Sequence, residues 1–151
     1  MRVTTRTRYA IRALYHLAFH RLGQAAQAKE IAAAQKIPLR FLEQILQDLR
    51  RAGLVEARRG PRGGYALARP PAEITMADVL RAVRGPLEEL LGVEGRPGSA
   101  ASPDDVPALV WGEVGGRLID VLERATLADF IARAEASGVR RAVTPATMYF
   151  I

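Results

Sequence analysis

The chain contains no cysteine. That absence excludes disulfides, thiol nucleophiles, thiolate metal sites and any iron–sulfur cluster held by cysteine. Histidine is almost missing too, with only His16 and His20. Their i, i+4 spacing can clamp a metal on a helix, but no third ligand is evident, and they lie opposite the apolar stripe of their segment. Asp104 and Asp105 read as a solvated loop pair. Neither a metal nor another cofactor is expected. No run of about 18 apolar residues occurs, so nothing spans a membrane as a helix. Arg12, His16 and His20 interrupt the apolar stretch near the basic N-terminus, which argues against a secretory signal and makes a cytoplasmic protein the expectation. Catalytic arrangements are lacking as well: there is no Ser/His/Asp set in a recognisable context, no phosphate-binding glycine loop between strand and helix, and no arguable acid pair. An enzyme is not expected. Lysine is scarce, since of 22 Lys and Arg only Lys29 and Lys36 are lysines. Arginine's rigid fork suits phosphate and guanine, although genome base composition also raises arginine content.

What is present points to a polyanion. The 151 residues, 49% hydrophobic, suffice for one domain or a small domain with an appended arm. The formal charge of +6 is unevenly spread. Residues 1–69 carry 14 Lys and Arg against 4 Asp and Glu, whereas residues 70–151 carry 8 against 12. The basic half favours nucleic acid.

Within that half, residues 53–69 read as two short strands joined by a tight turn carrying Arg58, Arg59 and Arg62. Gly60, Gly63 and Gly64 permit unusual backbone angles, and Pro61 stiffens the turn. Such cations suit phosphates or a narrow minor groove. Helical patterns precede the hairpin. Thr4 or Thr5 can cap a helix running to about Leu22, with Ile11, Leu14, Tyr15, Ala18 and Leu22 as its buried stripe. A second helix covers about Ala28–Gln35, anchored by Ile31, and Lys36-Ile37 forms a turn. Pro38 opens a third, with Phe41, Leu42, Ile45, Leu46 and Leu49 inward and Gly53 as its stop.

Helix, short helix, turn, helix and arginine hairpin is the winged helix-turn-helix order, in which the third helix enters the major groove. Its outer face offers Arg40, Glu43, Gln44, Gln47 and Arg51. Arginine and glutamine can pair two-pronged with guanine and adenine, and Glu43 can accept from cytosine N4. For Gln47 and Arg51 a merely solvated face is an equal reading; Arg40 and Glu43, near the helix start, are the favoured contacts.

Beyond Pro70-Pro71, Thr75 caps a helix over Met76–Val83, with Val79, Leu80 and Val83 inward, and Gly85-Pro86 ends it. Residues 92–105 read as a flexible loop rich in Gly, Pro, Ser and Asp. A long amphipathic helix follows over about Val106–Arg124, with Val110, Val114, Leu118, Val121 and Leu122 on one side and Trp111 as a core or dimer anchor. An exposed stripe on a small domain needs a partner, and a second copy is the simplest. Gly112, Gly115 and Gly116 each cost roughly 1 kcal/mol in a helix relative to alanine, so either two backbones approach closely there or the helix bends. Thr126 caps a last helix over about Leu127–Ala136; residues 139–151 form either an extended strand or a loose tail.

Several segments together resemble the Rrf2 family of winged-helix regulators, over Met1 to about Ala136. They are Arg8-Tyr9-Ala10, Phe41-Leu42-Glu43-Gln44, Arg50-Arg51-Ala52-Gly53-Leu54-Val55, Arg59-Gly60-Pro61-Arg62-Gly63-Gly64-Tyr65, Ile74–Val83 and Ala125-Thr126-Leu127-Ala128-Asp129. The family includes an iron–sulfur cluster regulator, a nitric-oxide-sensing repressor and a cysteine-metabolism repressor. The resemblance implies a mainly α fold with a small β-hairpin wing, a long C-terminal dimerisation helix, a homodimer and a palindromic operator. It also implies that Glu43 reads bases and that Arg59 enters the minor groove. The DNA-contacting set becomes Arg2, Thr4, Arg8, Tyr9, Arg40, Phe41, Glu43, Gln44, Gln47, Arg51, Arg58, Arg59, Gly60 and Arg62. The dimer set is Val110, Trp111, Val114, Leu118, Val121 and Leu122. The corresponding organisation is a DNA-binding domain at 1–86, a loop at 87–105 and a dimerisation segment at 106–151. Cluster-bearing members hold three cysteines before the dimerisation helix; here the stretch Leu91–Pro107 has neither cysteine nor histidine. A cluster-free homodimeric regulator, with promoter occlusion and hence repression as its simplest mechanism, is therefore expected. Two rival readings are an interaction protein that senses a partner enzyme through its C-terminal helix, and a small-molecule-responsive regulator.

Overall fold

Thr4 opens the first helix by accepting the Thr7 N–H at 3.3 Å, a side-chain cap for one of the donors that a helix start leaves free. In this computed structural model, which describes residues 3–93 and 106–142, helix α1 spans Thr5–Tyr15 and continues as a π-helical turn over His16–His20. The buried residues of that run are Thr7, Ala10, Ala13, Leu14, His16, Leu17, Ala18 and Phe19. Two expectations fail here. Leu22 lies outside the helix, 67% exposed at a positive φ of 49°, and His16 is not opposite the stripe but buried within it. The wider π turn shifts the register, so residues spaced for a 3.6-residue repeat no longer share a face.

Helix α2 spans Ala28–Gln35, and the Glu30 carboxylate accepts the Gln27 N–H at 3.1 Å. Lys36 closes it in the left-handed region at φ 53°. Helix α3 follows over Leu39–Arg51, burying Leu42, Ile45, Leu46 and Leu49 completely. Phe41 does not join them. It is 45% exposed and makes an edge-on contact with Tyr9 of α1, ring centroids 6.2 Å apart. Asp48 on α3 pairs with Arg6 of α1 and with Arg51, which ties the two helices together beside their apolar seam.

Strands β1 (Val55–Arg58) and β2 (Gly64–Leu67) pair antiparallel, with Val55 opposite Leu67 and Arg58 opposite Gly64. Ala26 and Tyr65 exchange two backbone hydrogen bonds, 2.9 and 2.8 Å, so the hairpin is fastened to the segment before α2. Gly64 has a φ of 137°, and a Cβ there would collide with the Ala26 carbonyl, so this approach requires glycine.

A 3-10 turn at Pro71–Glu73 leads to α4 (Met76–Arg84), capped reciprocally by Thr75 and Asp78 at 3.1 Å each. Val79 is buried, while Leu80 and Val83 are half-buried. After Gly85-Pro86 the chain forms a short helix, α5 (Leu87–Leu90), that the sequence did not suggest. Helix α6 spans Val106–Arg124 and α7 spans Leu127–Ala136. The α7 start returns to the N-terminal half: the Met76 N–H donates to Ala125, and the Leu127 N–H to Ile74, both at 2.8 Å. Leu127 is fully buried in the common core with Leu14, Leu46 and Ile74. Arg2, the 94–105 part of the expected loop (including Asp104 and Asp105) and residues 143–151 lie outside the described residues.

Candidate nucleic-acid interface

The amphipathic pattern of α3 decides which side chains face solvent. With Leu42, Ile45, Leu46 and Leu49 inward, Arg40, Glu43, Gln44, Gln47 and Arg51 are all exposed. The wing supplies a second exposed set, since Arg58, Arg59, Gly60 and Arg62 are exposed too. The two elements touch where Gln47 Nε2 donates to the Tyr65 hydroxyl at 3.4 Å. That contact and the β1–α3 junction fix the wing against the helix.

The arginines differ in how they are held. Arg51 bonds Asp48 at 2.9 Å, and Arg58 bonds Glu56 at 2.9 Å and the Gly23 carbonyl at 3.3 Å. None of the ion pairs among the described residues involves Arg8, Arg40, Arg59 or Arg62. Among the described residues no carboxylate competes with an outside anion for those guanidiniums. At the start of α1, Thr4 and Tyr9 are half-buried and Arg8 is exposed; Tyr9 reaches α3 through its contact with Phe41. The structure thus brings the expected residues of α3 and of the wing onto neighbouring exposed elements.

A second surface lies on α6. Val110, Trp111, Val114, Leu118 and Val121 are 40–64% exposed, as are Val106 and Leu109 of the same helix at 53% and 41%. Leu122 differs, being half-buried against the protein's own core. Trp111 keeps its ring exposed while its Nε1–H donates to the Leu91 carbonyl at 2.9 Å. The glycines separate into two roles. A Cβ on Gly115 would collide with Val93, whereas one on Gly112 or Gly116 meets nothing within 4 Å.

The two histidines form a different kind of site. His16 is 6% exposed and its Nδ1 lies 3.3 Å from Gln35 Nε2. Burial lowers its pKa from 6.5 to about 4, with smaller contributions from His20 and Arg21, opposed by Glu30. His20 accepts the Ala142 N–H at 2.8 Å and is also lowered, by burial first and then by Arg141. Among the described residues no three His, Asp or Glu are grouped as metal ligands. The histidine spacing that could hold a metal here packs the end of the first helix and receives the chain after α7.

Comparison with known proteins follows the same lines. The Rrf2 family model, described as an iron-dependent transcriptional regulator, matches residues 3–133. A Mycobacterium tuberculosis protein named as an HTH-type transcriptional regulator is 42% identical over 131 residues, covering 85% of this chain and 80% of its own length. The solved structure of T. potens IscR has a TM-score of 0.73 and 33% identity, covering 99% of this chain and 97% of that one. CymR, described as the global cysteine regulator of B. subtilis, has a TM-score of 0.68 and 28% identity, covering 88% and 98%. These relatives are regulators rather than enzymes. Among the described residues no helix is long and apolar enough to cross a membrane. The iron in the family description finds no thiolate donors here: the chain lacks cysteine, and both histidines are engaged in packing.

Proposed function

Because the chain belongs to the Rrf2 family of transcriptional regulators, we propose that it binds a palindromic DNA site as a homodimer, without a cysteine-ligated cluster, and represses by occluding a promoter. The observation that carries this reading is the exposed polar face of α3 beside an arginine wing whose Arg59 and Arg62 have no ion-pair partner among the described residues. Arg40 and Glu43, on the first turns of α3, read base edges; Gln44, Gln47 and Arg51 extend the contact along the groove. Arg59 and its neighbours Arg58, Gly60 and Arg62 follow the backbone and the minor groove, where a narrow groove concentrates negative potential. Arg2, Thr4, Arg8, Tyr9 and Phe41 complete the contact from the start of α1 and its junction with α3.

The α6 stripe is covered by a second copy. Val110, Trp111, Val114, Leu118 and Val121 supply apolar area that a monomer leaves in water. Gly112 and Gly116, open in one copy, let the partner backbone come close. Leu122 contributes from the edge of the stripe. Two related copies then present two α3 helices to half-sites about one helical turn apart. Selection of the purified protein against genomic fragments tests the reading. A palindromic consensus is expected; a collection of fragments without a shared site contradicts it.

A further inference from the structure

A cleft of about 560 Å3 opens between the end of the first helix, the base of the wing and α7. Its size falls within the range of small-molecule sites, about 300–1,000 Å3. Leu67, Pro70 and Ile131 give it apolar walls; Arg58 and Arg69 come from the two arms of the hairpin, and Arg141 from the chain after α7. Among the described residues that line it, none is acidic. Each guanidinium is held by a backbone carbonyl: Arg58 by Gly23 at 3.3 Å, Arg69 by Glu73 at 3.4 Å and Arg141 by Phe19 at 2.9 Å. Arg141 is further fixed over the Phe19 ring, 4.6 Å from its centre. An arginine has five N–H donors, so one carbonyl leaves most of them available in a preorganised position.

Two of their carboxylate partners, Glu56 and Glu135, are exposed, and the third, the half-buried Asp78, is already engaged in capping Thr75. Arg58 meets Glu56, two residues away on the same strand and as exposed as itself; Arg69 stands 3.8 Å from Asp78; Arg141 pairs with Glu135 at 2.6 Å. Solvent-screened pairs such as Arg58–Glu56 and Arg141–Glu135 are weak, and at 3.8 Å Arg69 is only loosely paired, so an entering anion can exchange with them. The π turn adjoins the cleft through Ala18 and Phe19, and such turns recur at functional sites.

We infer that this cleft binds a small organic carboxylate with an apolar body, and that its occupancy weakens DNA binding by claiming Arg58. The coupling rests on the reading of Arg58 as a wing residue that meets DNA; the binding itself does not. An anion held by Arg58 occupies the guanidinium that would otherwise approach a phosphate, and linkage makes the two ligands mutually exclusive to that extent.

The test uses the full chain, first without DNA. Thermal melting is followed against 3-phenylpropionate, its neutral amide and inorganic phosphate. A saturable rise in melting temperature with the carboxylate alone is expected. The same response to the amide, the same response to phosphate, or no response overturns the site. The double variant Arg69→Gln/Arg141→Gln and, separately, Ala68→Trp, which fills the cleft from an exposed position on its lining, should each weaken carboxylate binding at least about tenfold. Retention of full affinity in both overturns the assignment. Neither variant touches a residue placed on DNA, so both should bind the selected DNA fragment normally when no carboxylate is present. With the carboxylate at ten times its own dissociation constant, DNA affinity of the unaltered chain should fall about tenfold. Undiminished DNA affinity with the cleft filled overturns the coupling. A protein that fails to bind DNA at all would leave the melting experiment fully readable, so the two readings fail separately.

Discussion

Glu43 and Arg59 are both exposed, and as the DNA contacts proposed above they should give different signatures on removal. A carboxylate is repelled by the phosphate backbone and is useful only where it accepts from a base. Glu43→Ala should therefore relax preference at one position of the site by about 1–3 kcal/mol, with little loss on other sequences. Arg59→Ala should weaken binding broadly, most where the minor groove is narrow. Competition assays across single-base variants of the selected site separate the two; an unchanged preference after Glu43→Ala would remove its base-reading role. His16 makes a prediction about stability instead. Its folded pKa, about 4, lies below the ordinary 6.5, so below pH 6.5 the unfolded chain binds a proton that the folded chain refuses. Stability must fall as pH drops from 6.5 toward 4, by about 2 kcal/mol between pH 7 and pH 5. Urea unfolding at those two pH values should show this loss, and His16→Gln, which keeps a polar partner for Gln35, should reduce it, the lowered His20 leaving a residual slope of the same sign. Equal slopes in the two proteins would mean that His16 is solvated in the fold.

At the scale of elements, the wing depends on one close approach. Gly64 sits at φ 137° against the Ala26 carbonyl, where the paired bonds between Ala26 and Tyr65 fasten the hairpin. Gly64→Ala should cost about 2–4 kcal/mol and detach the wing, seen as a lower denaturation midpoint together with weaker DNA binding. A stability within about 0.5 kcal/mol of the unaltered chain would show that the wing tolerates a shift. The same elements show what a sequence discloses. Helices α2, α6 and α7 were legible to the residue, because Ile31, the stripe of α6 and the Thr126 cap each repeat or punctuate clearly. The hairpin was legible from its glycines. The first helix was legible at its Thr4 cap and in Leu14 and Ala18, but not at its end: Ala10 and Ala13 give weak periodicity, and a π turn displaces whatever follows it. Phe41 misled for a related reason: an aromatic at a nearly inward position can lie along the surface when another ring, Tyr9, receives its edge. Helix α5 carries only four residues, too few for a period, and the Gly85-Pro86 stop hid it. The arginine cleft could be read only in part: Arg58 and Arg69 flank the hairpin, but Arg141 reaches it only through the return of α7 to the N-terminal half.

The whole molecule divides its charge and its apolar surface between two regions. The first 69 residues hold most of the arginines, and α6 holds the uncovered apolar stripe. A dimer joined along α6 doubles the basic surface and presents it twice. Trp111→Glu/Val114→Glu should yield a monomer by sedimentation equilibrium, because buried unpaired carboxylates oppose association. That monomer should lose affinity for a palindrome far more than for a half-site. A variant that stays dimeric would place the interface elsewhere. Specific recognition of DNA by α3 and the wing, as proposed here, must show in the salt dependence of affinity. The dissociation constant is measured from low to physiological salt on the selected site and on a shuffled sequence of the same composition. A steep decline on both is expected, from release of phosphate counterions, with the selected site held at least about 1,000-fold tighter throughout. Equal affinity for the two sequences, or binding indifferent to salt, would contradict it.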